Sequence, residues 1–168
     1  GIKWTELTWN PISGCTKVSD GCKFCYAKTI AERHAGSAAF PNGFALTLRP
    51  DWLVDPINRK IPALIFVNSM SDVFWDEVPQ SMVDSIFDVI DQTPWHTYQI
   101  LTKRADRMLA YSQTRRFPKN LWAGVTVENQ ATAGRLDLLR QIATDGKRMV
   151  SAEPLLSPLA VDWTGIDW

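Results

Sequence analysis

Three cysteines within eleven residues are the part of this 168-residue sequence whose types and spacing point most directly to chemistry. Cys15, Cys22 and Cys25 are separated by six and two residues, and the chain has no other cysteine. Clustered thiols in an odd number suit internal disulfides poorly, because one thiol is always left over. Soft thiolates instead favour zinc or an iron–sulfur cluster. Three thiolates without an obvious fourth protein ligand leave one metal position open, and an open position is where a reactant can bind.

The cysteines follow the first of five short apolar runs, and each run is succeeded by a polar loop and a helical pattern. Alternating elements of this kind are typical of a parallel sheet with right-handed crossovers, either an open doubly wound sheet or a curved partial barrel. No Gly-x-Gly-x-x-Gly motif follows a strand, so dinucleotide binding has no support. The predicted strands are 4–9, 63–67, 97–101, 121–127 and 148–152.

Polar side chains follow all five predicted strands at the point where each strand ends. Because ligands bind beyond the carboxyl ends of parallel strands, we expect these groups to converge on one rim. Any single group is equally consistent with a helix cap or a solvated loop, so the prediction depends on the agreement of five ends. The groups are the three cysteines; Asn68, Ser69, Ser71 and Asp72; Thr102, Lys103 and Arg104; Thr126, Glu128 and Asn129; and Ser151 and Glu153.

Composition is that of an ordinary globular domain and argues against some classes of function. The chain is 45% hydrophobic and 21% charged, which is sufficient for one domain with a core. A formal net charge of +0 gives no general electrostatic reason to bind nucleic acid. No apolar run approaches the ~20 residues of a membrane span, and no signal segment is evident. Clustered free thiols without an export signal predict a cytoplasmic location.

The cysteine loop resembles the cluster-binding loop of radical S-adenosylmethionine enzymes. The common spacing there is Cys-x3-Cys-x-aromatic-Cys; this chain keeps the second half as Cys22-Lys-Phe-Cys25 but has six residues in the first gap. Other segments resemble the spore photoproduct lyase-like branch and a neighbouring phage-associated family of uncharacterised proteins. These segments are Cys25-Tyr-Ala27, Asn68-Ser-Met-Ser-Asp72, Ile100-Leu-Thr-Lys-Arg104 and Ser151-Ala-Glu-Pro-Leu155, so the resemblance covers most of 4–156.

This resemblance implies a partial TIM-like barrel of about five parallel strands with outer helices over 1–156, followed by an irregular tail at 157–168. It implies that Cys15, Cys22 and Cys25 hold a [4Fe–4S] cluster whose remaining iron binds S-adenosylmethionine. An electron from the cluster then cleaves the sulfonium to methionine and a 5′-deoxyadenosyl radical, which abstracts hydrogen from a substrate. The implied cofactor-binding residues are Phe24, Ser69, Asp72, Lys103, Glu128 and Glu153.

Phe24 has two equally favoured roles, which are seating the adenine and packing the start of the first helix. The implied partners are an electron donor of the flavodoxin or ferredoxin type and a nucleic-acid-related substrate, with no membrane. Members of the superfamily have a sixth strand, whereas this sequence stops about where that strand would begin. Because five parallel strands would leave an exposed edge, we expect a chain shortened before its sixth strand, or a partner or missing segment that covers the edge.

Three other functions remain open from the residues alone. A structural zinc site would use the cysteines and a fourth ligand, for which His34 is the nearest candidate. A non-enzymatic phage or mobile-element protein would bind nucleic acid through the basic residues of 103–116, although a solvated helix face explains these residues as well. A thiol protease fits poorly, because neither His34 nor His96 is placed beside a particular cysteine.

Overall fold

Five parallel strands form the central sheet in a computed structural model that describes residues 2–168. The order of the strands in the sheet is their order along the chain, without the reversal that defines a doubly wound sheet. Within the described residues the sheet stays open and does not close into a barrel. The strands are β1 (Leu7–Trp9), β4 (Leu64–Val67), β5 (Thr97–Thr102), β6 (Leu121–Thr126) and β7 (Lys147–Ser151), and a separate antiparallel pair is formed by β2 (Ile12–Ser13) and β3 (Thr47–Leu48).

Helices connect and flank the parallel strands. The longest, α3, buries six apolar side chains of 80–92. An isolated helix of this length is marginal in water, whereas burial of one large apolar side chain contributes roughly 1.5–3 kcal/mol. α3 is therefore stabilised mainly by packing against the rest of the core and less by its intrinsic helix propensity. The α-helices are α1 (Tyr26–Arg33), α2 (Asp55–Asn58), α3 (Gln80–Gln92), α4 (Ala105–Thr114) and α5 (Arg135–Gln141), and shorter 3-10 helices cover Asp20–Cys22, Pro50–Val54 and Gln130–Thr132.

The two faces of the sheet are covered differently. One face carries alternate strand residues such as Ile65, Tyr98 and Ile100, which belong to a single apolar core together with buried residues of α3, α4 and α5. On the other face Trp4 packs against Phe66, with ring centroids 4.8 Å apart. The candidate site lies beside this second face, at the carboxyl ends of the strands.

The sequence-based element predictions are confirmed for the four later strands, whose ends move by at most one residue. The first strand is shorter than the predicted 4–9, and β3 is a strand that the five predicted runs did not include. Residues 152–168 contain no helix or strand, although the backbone of Trp168 bonds to Arg148 and Val150 beside β7. In the described part of the chain, every helix is too short or too polar to span a lipid bilayer.

Candidate functional site

The carboxyl ends of the strands surround a cavity of about 480 Å³, which we call the inner cavity. Its wall combines the cysteine loop with residues from the ends of β4, β5, β6 and β7, so the structure brings together the predicted rim residues other than Glu128 and Asn129. An apolar floor is provided by Trp4, Phe66 and Leu101. The polar part of the wall includes Asn68, Ser69, Ser71, Asp72, Thr102, Lys103, Arg104, Thr126, Ser151 and Glu153.

All three cysteines line the inner cavity, and all three are free and partly buried. They also line a second cavity of about 420 Å³, which we call the outer cavity and which includes Lys17, Lys28 and Phe44. Cys15, Cys22 and Cys25 therefore form part of a wall between the two spaces. In residues 2–168 no three His, Cys, Asp or Glu side chains are placed to hold a single metal ion.

The start of the cysteine loop is fixed to the loop that follows β4. Gly14 donates its N–H to the carbonyl of Met70 at 3.1 Å, and Ser71 Oγ donates to the Gly14 carbonyl at 2.6 Å. Gly14 has a φ of +94°, and a Cβ at this position would collide with the carbonyl of Ala45. Glycine is therefore required directly before Cys15.

Arg104 ties the same part of the loop to the sheet. Its Nη1 donates to Cys15 Sγ at 3.5 Å and to Asp72 Oδ2 at 3.1 Å, while Nη2 donates to both oxygens of Thr16. Arg104 is 5% exposed, so the guanidinium is buried between a carboxylate and a thiol. Sequence reasoning placed Arg104 both on the predicted rim and in a basic stretch, and no local pattern distinguishes its burial from that of the less buried basic residues of 103–116.

Burial raises the pKa of the Cys15 thiol to about 11. The negative charge of Asp72 raises this pKa further, whereas the charge and hydrogen bond of Arg104 lower it. A smaller increase comes from Cys22, which places the two sulfurs within electrostatic reach of each other. At neutral pH the metal-free loop therefore presents Cys15 as a thiol, and a metal must displace its proton in order to bind.

The carboxylate of Asp72 is fully engaged by protein donors. Oδ1 accepts from Thr102 Oγ1 at 2.7 Å and from the N–H of Phe74 at 3.0 Å, and Oδ2 accepts from the N–H of Lys103 and from Arg104. Asp72 is 7% exposed. The structure thus places this predicted cofactor ligand in the wall of the cavity, where it organises the β4 and β5 ends.

Glu128 holds the middle of the cysteine loop. Its side chain is fully buried, accepts from Ser19 Oγ at 2.8 Å and lies 3.5 Å from both Lys103 Nζ and Arg135 Nη1. A Cβ on Gly21 would lie 2.5 Å from Glu128 Oε1, so any larger residue here would force the buried carboxylate to move. Glu128 and Lys103 were both predicted to bind the cofactor. In the structure their charged groups instead contact each other, and Glu128 also contacts the cysteine loop.

The remaining predicted residues have more freedom. Phe24 lines the inner cavity and is 91% exposed. The prediction that it packs the start of α1 is therefore wrong. Glu153 is exposed in the cavity wall and forms no ion pair among the described residues. Ser69 Oγ donates to Asn10 Oδ1 at 3.0 Å, and its carbonyl accepts from the hydroxyl of Tyr26 at 2.7 Å.

Neither histidine lies in either cavity wall. His34 is exposed and follows the last residue of α1, whereas Cys25 precedes the first, so the helix separates them by roughly 12 Å at 1.5 Å per residue. His96 is 1% exposed and its Nε2 lies 3.1 Å from the carbonyls of both Pro56 and Arg59. Neither side chain is therefore positioned as a zinc ligand or as the base of a catalytic thiol.

Comparison with known families identifies one match. A family model described as "Protein of unknown function (DUF5131)" matches residues 1–168. No curated protein and no solved structure matches the chain.

Proposed function

The chain belongs to the family described as "Protein of unknown function (DUF5131)", and we propose that it is a radical S-adenosylmethionine enzyme whose three cysteines hold a [4Fe–4S] cluster. The observation that carries the proposal is the shared position of Cys15, Cys22 and Cys25 in the wall of one cavity at the carboxyl ends of parallel strands. That is where parallel α/β folds bind ligands.

We further propose that the open sheet is a segment of a TIM-like barrel. The strand order follows the chain order, as in a barrel, and with right-handed crossovers this order places every connecting helix on one face. The opposite face then corresponds to a barrel interior. Residues of that face, including Phe66 and Leu101, form the floor of the inner cavity.

We propose an iron–sulfur cluster rather than a single ion as the occupant of the cysteine loop. A four-iron cluster takes each thiolate on a separate iron, so its three sulfurs need not surround one point. Structural zinc requires four ligands around one ion, and the described residues contain no such group. His34 is at the far end of α1 and does not supply the fourth ligand.

The anchors of the loop would preorganise these ligands. Arg104 sets the position of Cys15 and, as a buried cation, favours the thiolate that a metal needs. Glu128 fixes the Asp20–Cys22 turn through Ser19 and Gly21. Asp72 in turn accepts a hydrogen bond from Arg104. We therefore assign Asp72 and Glu128 as positioning residues of the cluster loop.

S-adenosylmethionine would occupy the inner cavity beside the cluster. Groups there that remain available to it include the carboxylate of Glu153, the ring of Phe24 and the loop around Ser69. Lys103 could bind S-adenosylmethionine only if its ion pair with Glu128 were broken. When bound, the cluster and S-adenosylmethionine would supply the electron and the carbon radical for hydrogen abstraction. The apolar floor would limit the access of water to this space.

The outer cavity gives the cysteines a second side that an electron donor of the flavodoxin or ferredoxin type would approach. Lys17 and Lys28 line this cavity, and Glu32, which pairs with Lys28, is the acidic side chain in its wall. An excess of positive charge at the surface attracts the acidic faces of soluble electron carriers. We propose this surface as the docking side for the reductant, within the reducing cytoplasm.

A nucleic-acid-related substrate remains part of the proposal, but the basic stretch does not support a DNA-binding protein without enzymatic activity. Each basic residue of that stretch is within ion-pair distance of an acidic side chain, so little free positive charge faces a phosphate backbone. The pairs are Lys103–Glu128, Arg104–Asp72, Arg107–Asp76, Arg115 with Asp88 and Asp91, and Arg116–Asp145. A small nucleoside-like substrate suits the inner cavity better than a duplex does.

Anaerobic reconstitution with iron and sulfide tests the proposal. We expect a brown protein with about four irons per chain that releases 5′-deoxyadenosine from S-adenosylmethionine when reduced. Replacement of any one cysteine by alanine should abolish iron retention, whereas Val18→Ala, an exposed change within the same loop, should not. A colourless protein with one tightly bound zinc would overturn the cluster assignment.

A further inference from the structure

Two residues that line the inner cavity each carry a buried N–H donor that has no acceptor within the described residues. These donors are Nδ2 of Asn68 and Nε of Arg104. Asn68 is 3% exposed and Arg104 is 5% exposed. A buried donor without a partner costs about 1–3 kcal/mol, and more than nine in ten buried polar groups are paired. Two such donors in one cavity wall therefore indicate an acceptor that the chain does not supply.

The orientation of the Asn68 amide is set by its other atom. Oδ1 accepts from the N–H of Ile12 at 3.3 Å, and the opposite orientation would place two donors against each other. Nδ2 is thus the unsatisfied end. Asn68 also has a φ of +59°, a conformation that non-glycine residues adopt rarely and that recurs at functional sites.

The polar side chains at the ends of β4 and β5 are already engaged with one another. Both oxygens of Asp72 accept hydrogen bonds from the β5 end, and the hydroxyl of Thr102 donates to Asp72. Arg104 uses Nη1 and Nη2 on Cys15, Asp72 and Thr16, so Nε is the donor left over. One of the two free donors is cationic, which favours an anionic oxygen over a neutral one.

We propose that Asn68 Nδ2 and Arg104 Nε bind a carboxylate of the ligand that occupies the inner cavity. The inference rests on the proposed function, because the amino-acid part of S-adenosylmethionine carries such a carboxylate. Asn68 was one of several polar residues expected on the rim, and its assignment as a ligand donor comes from the structure alone. An ordered water molecule is the competing partner for these donors.

Asn68→Asp is the sharpest variant. It has the same shape, tolerates a positive φ and keeps an oxygen for the N–H of Ile12, but it replaces the free donor by an anionic acceptor. Asn129→Asp is the matched control: Asn129 Oδ1 accepts from the N–H of Thr132 at 3.1 Å, and Asn129 does not line the inner cavity. Asn68→Gly, which adopts a positive φ without strain, is the second variant if Asn68→Asp fails to fold.

Binding is measured by calorimetry on the metal-free chain with S-adenosylhomocysteine and with its decarboxylated analogue. We expect the wild type and Asn129→Asp to prefer the acid over the analogue. A hydrogen bond to a charged group contributes about 1.5–3 kcal/mol, so Asn68→Asp should bind the acid about tenfold or more weakly. Its affinity for the analogue should change little.

Side-chain amide NMR gives a second readout that does not depend on affinity. The NH₂ resonances that disappear in Asn68→Asp identify Asn68, and they should shift when the wild type receives the acid but not when it receives the analogue. If Asn68→Asp and Asn68→Gly bind the acid as the wild type does, water is the natural partner and the inference is overturned, while the proposed function stands. If the wild type binds neither nucleoside even after reconstitution of the cluster, the cofactor assignment itself fails and takes the inference with it.

Discussion

Nη1 of Arg104 lies 3.5 Å from Sγ of Cys15, although the two residues are 89 positions apart in the chain. The same nitrogen is 3.1 Å from Asp72 Oδ2. One buried guanidinium thus joins the ends of β4 and β5 to the first of the three cysteines. The cysteine loop is therefore held by the sheet and does not depend on its own short helical turn for its position.

Removal of the Arg104 side chain should destabilise the fold strongly. Breaking a buried ion pair by truncating one partner costs about 3–5 kcal/mol, because the other charge stays buried. We expect Arg104→Ala to lower the free energy of unfolding by this amount in urea titrations of the metal-free chain. Arg116→Ala removes an arginine from an exposed pair with Asp145, and the expected loss there is about 0–1 kcal/mol. Equal losses in the two variants would contradict the role of Arg104.

Cys15 should react slowly with alkylating agents, because its pKa is raised to about 11 by burial and by Asp72. In Cys22→Ser/Cys25→Ser, whose only thiol is Cys15, the rate of iodoacetamide modification should keep rising up to about pH 11. The unfolded chain should level off near the ordinary value of 9.0. Cys22 is the smallest of the named causes, so its replacement leaves the main cause in place.

The same pKa shift gives the sign of a stability change. Between about pH 9 and about pH 11 the folded chain keeps the Cys15 proton that the unfolded chain releases. Stability of the metal-free chain should therefore be fully present below pH 9 and decline as the pH rises toward 11.

Arg104→Gln should slow the alkylation of Cys15 further, since Arg104 lowers the pKa of this thiol. Faster alkylation in that variant would contradict the electrostatic assignment.

Gly21→Ala should disturb the cysteine loop without touching a cysteine. The new Cβ would lie 2.5 Å from the buried Oε1 of Glu128, and overpacking of this kind typically costs about 1–3 kcal/mol. We expect lower thermal stability and lower iron retention after reconstitution. Gly134→Ala is the control, because a Cβ there meets nothing within 4 Å. Normal iron retention in Gly21→Ala would show that Glu128 does not set the loop.

Charge reversal on the outer cavity should affect reduction by a protein and not by a small molecule. Lys17→Glu/Lys28→Glu should slow electron transfer from an acidic flavodoxin-type donor, and added salt should slow the wild type in the same direction. Reduction by dithionite should be unchanged. Lys119→Glu, at an exposed lysine outside both cavity walls, is the control. A rate independent of both charge and salt would argue against docking at this surface.

Apolar patterns predicted the later strands to within one residue, because a continuous apolar run such as Ala63-Leu-Ile-Phe-Val67 favours a mostly buried strand on its own. The positions of the cysteines at a strand end, and hence their shared cavity, followed from the same alternation. The β2–β3 pair was beyond such reasoning, because two-residue strands have no period. The direction of each polar side chain was equally inaccessible from the sequence.

Asp72 and Glu128 show why residue type alone did not assign roles within the site. Both carboxylates were expected to face a cofactor, but both are filled by protein donors such as Thr102 and Ser19. Arg104 was expected on the rim without a particular role, because nothing in the sequence marks it as more buried than the other basic residues of 103–116. Which of several similar groups turns inward depends on partners 30 to 109 positions away, and no local pattern records such contacts.

The distances along the chain between the cysteine loop and its anchors also set an order of events during synthesis. Ser71, Arg104 and Glu128 follow their loop partners by 57, 88 and 109 positions. While these residues are still within the ribosome, the three thiols have emerged but nothing fixes them. If the proposed cluster is present, its delivery to this protein therefore belongs after translation of the β6 end, and a cell that makes the chain must keep those early thiols protected until then.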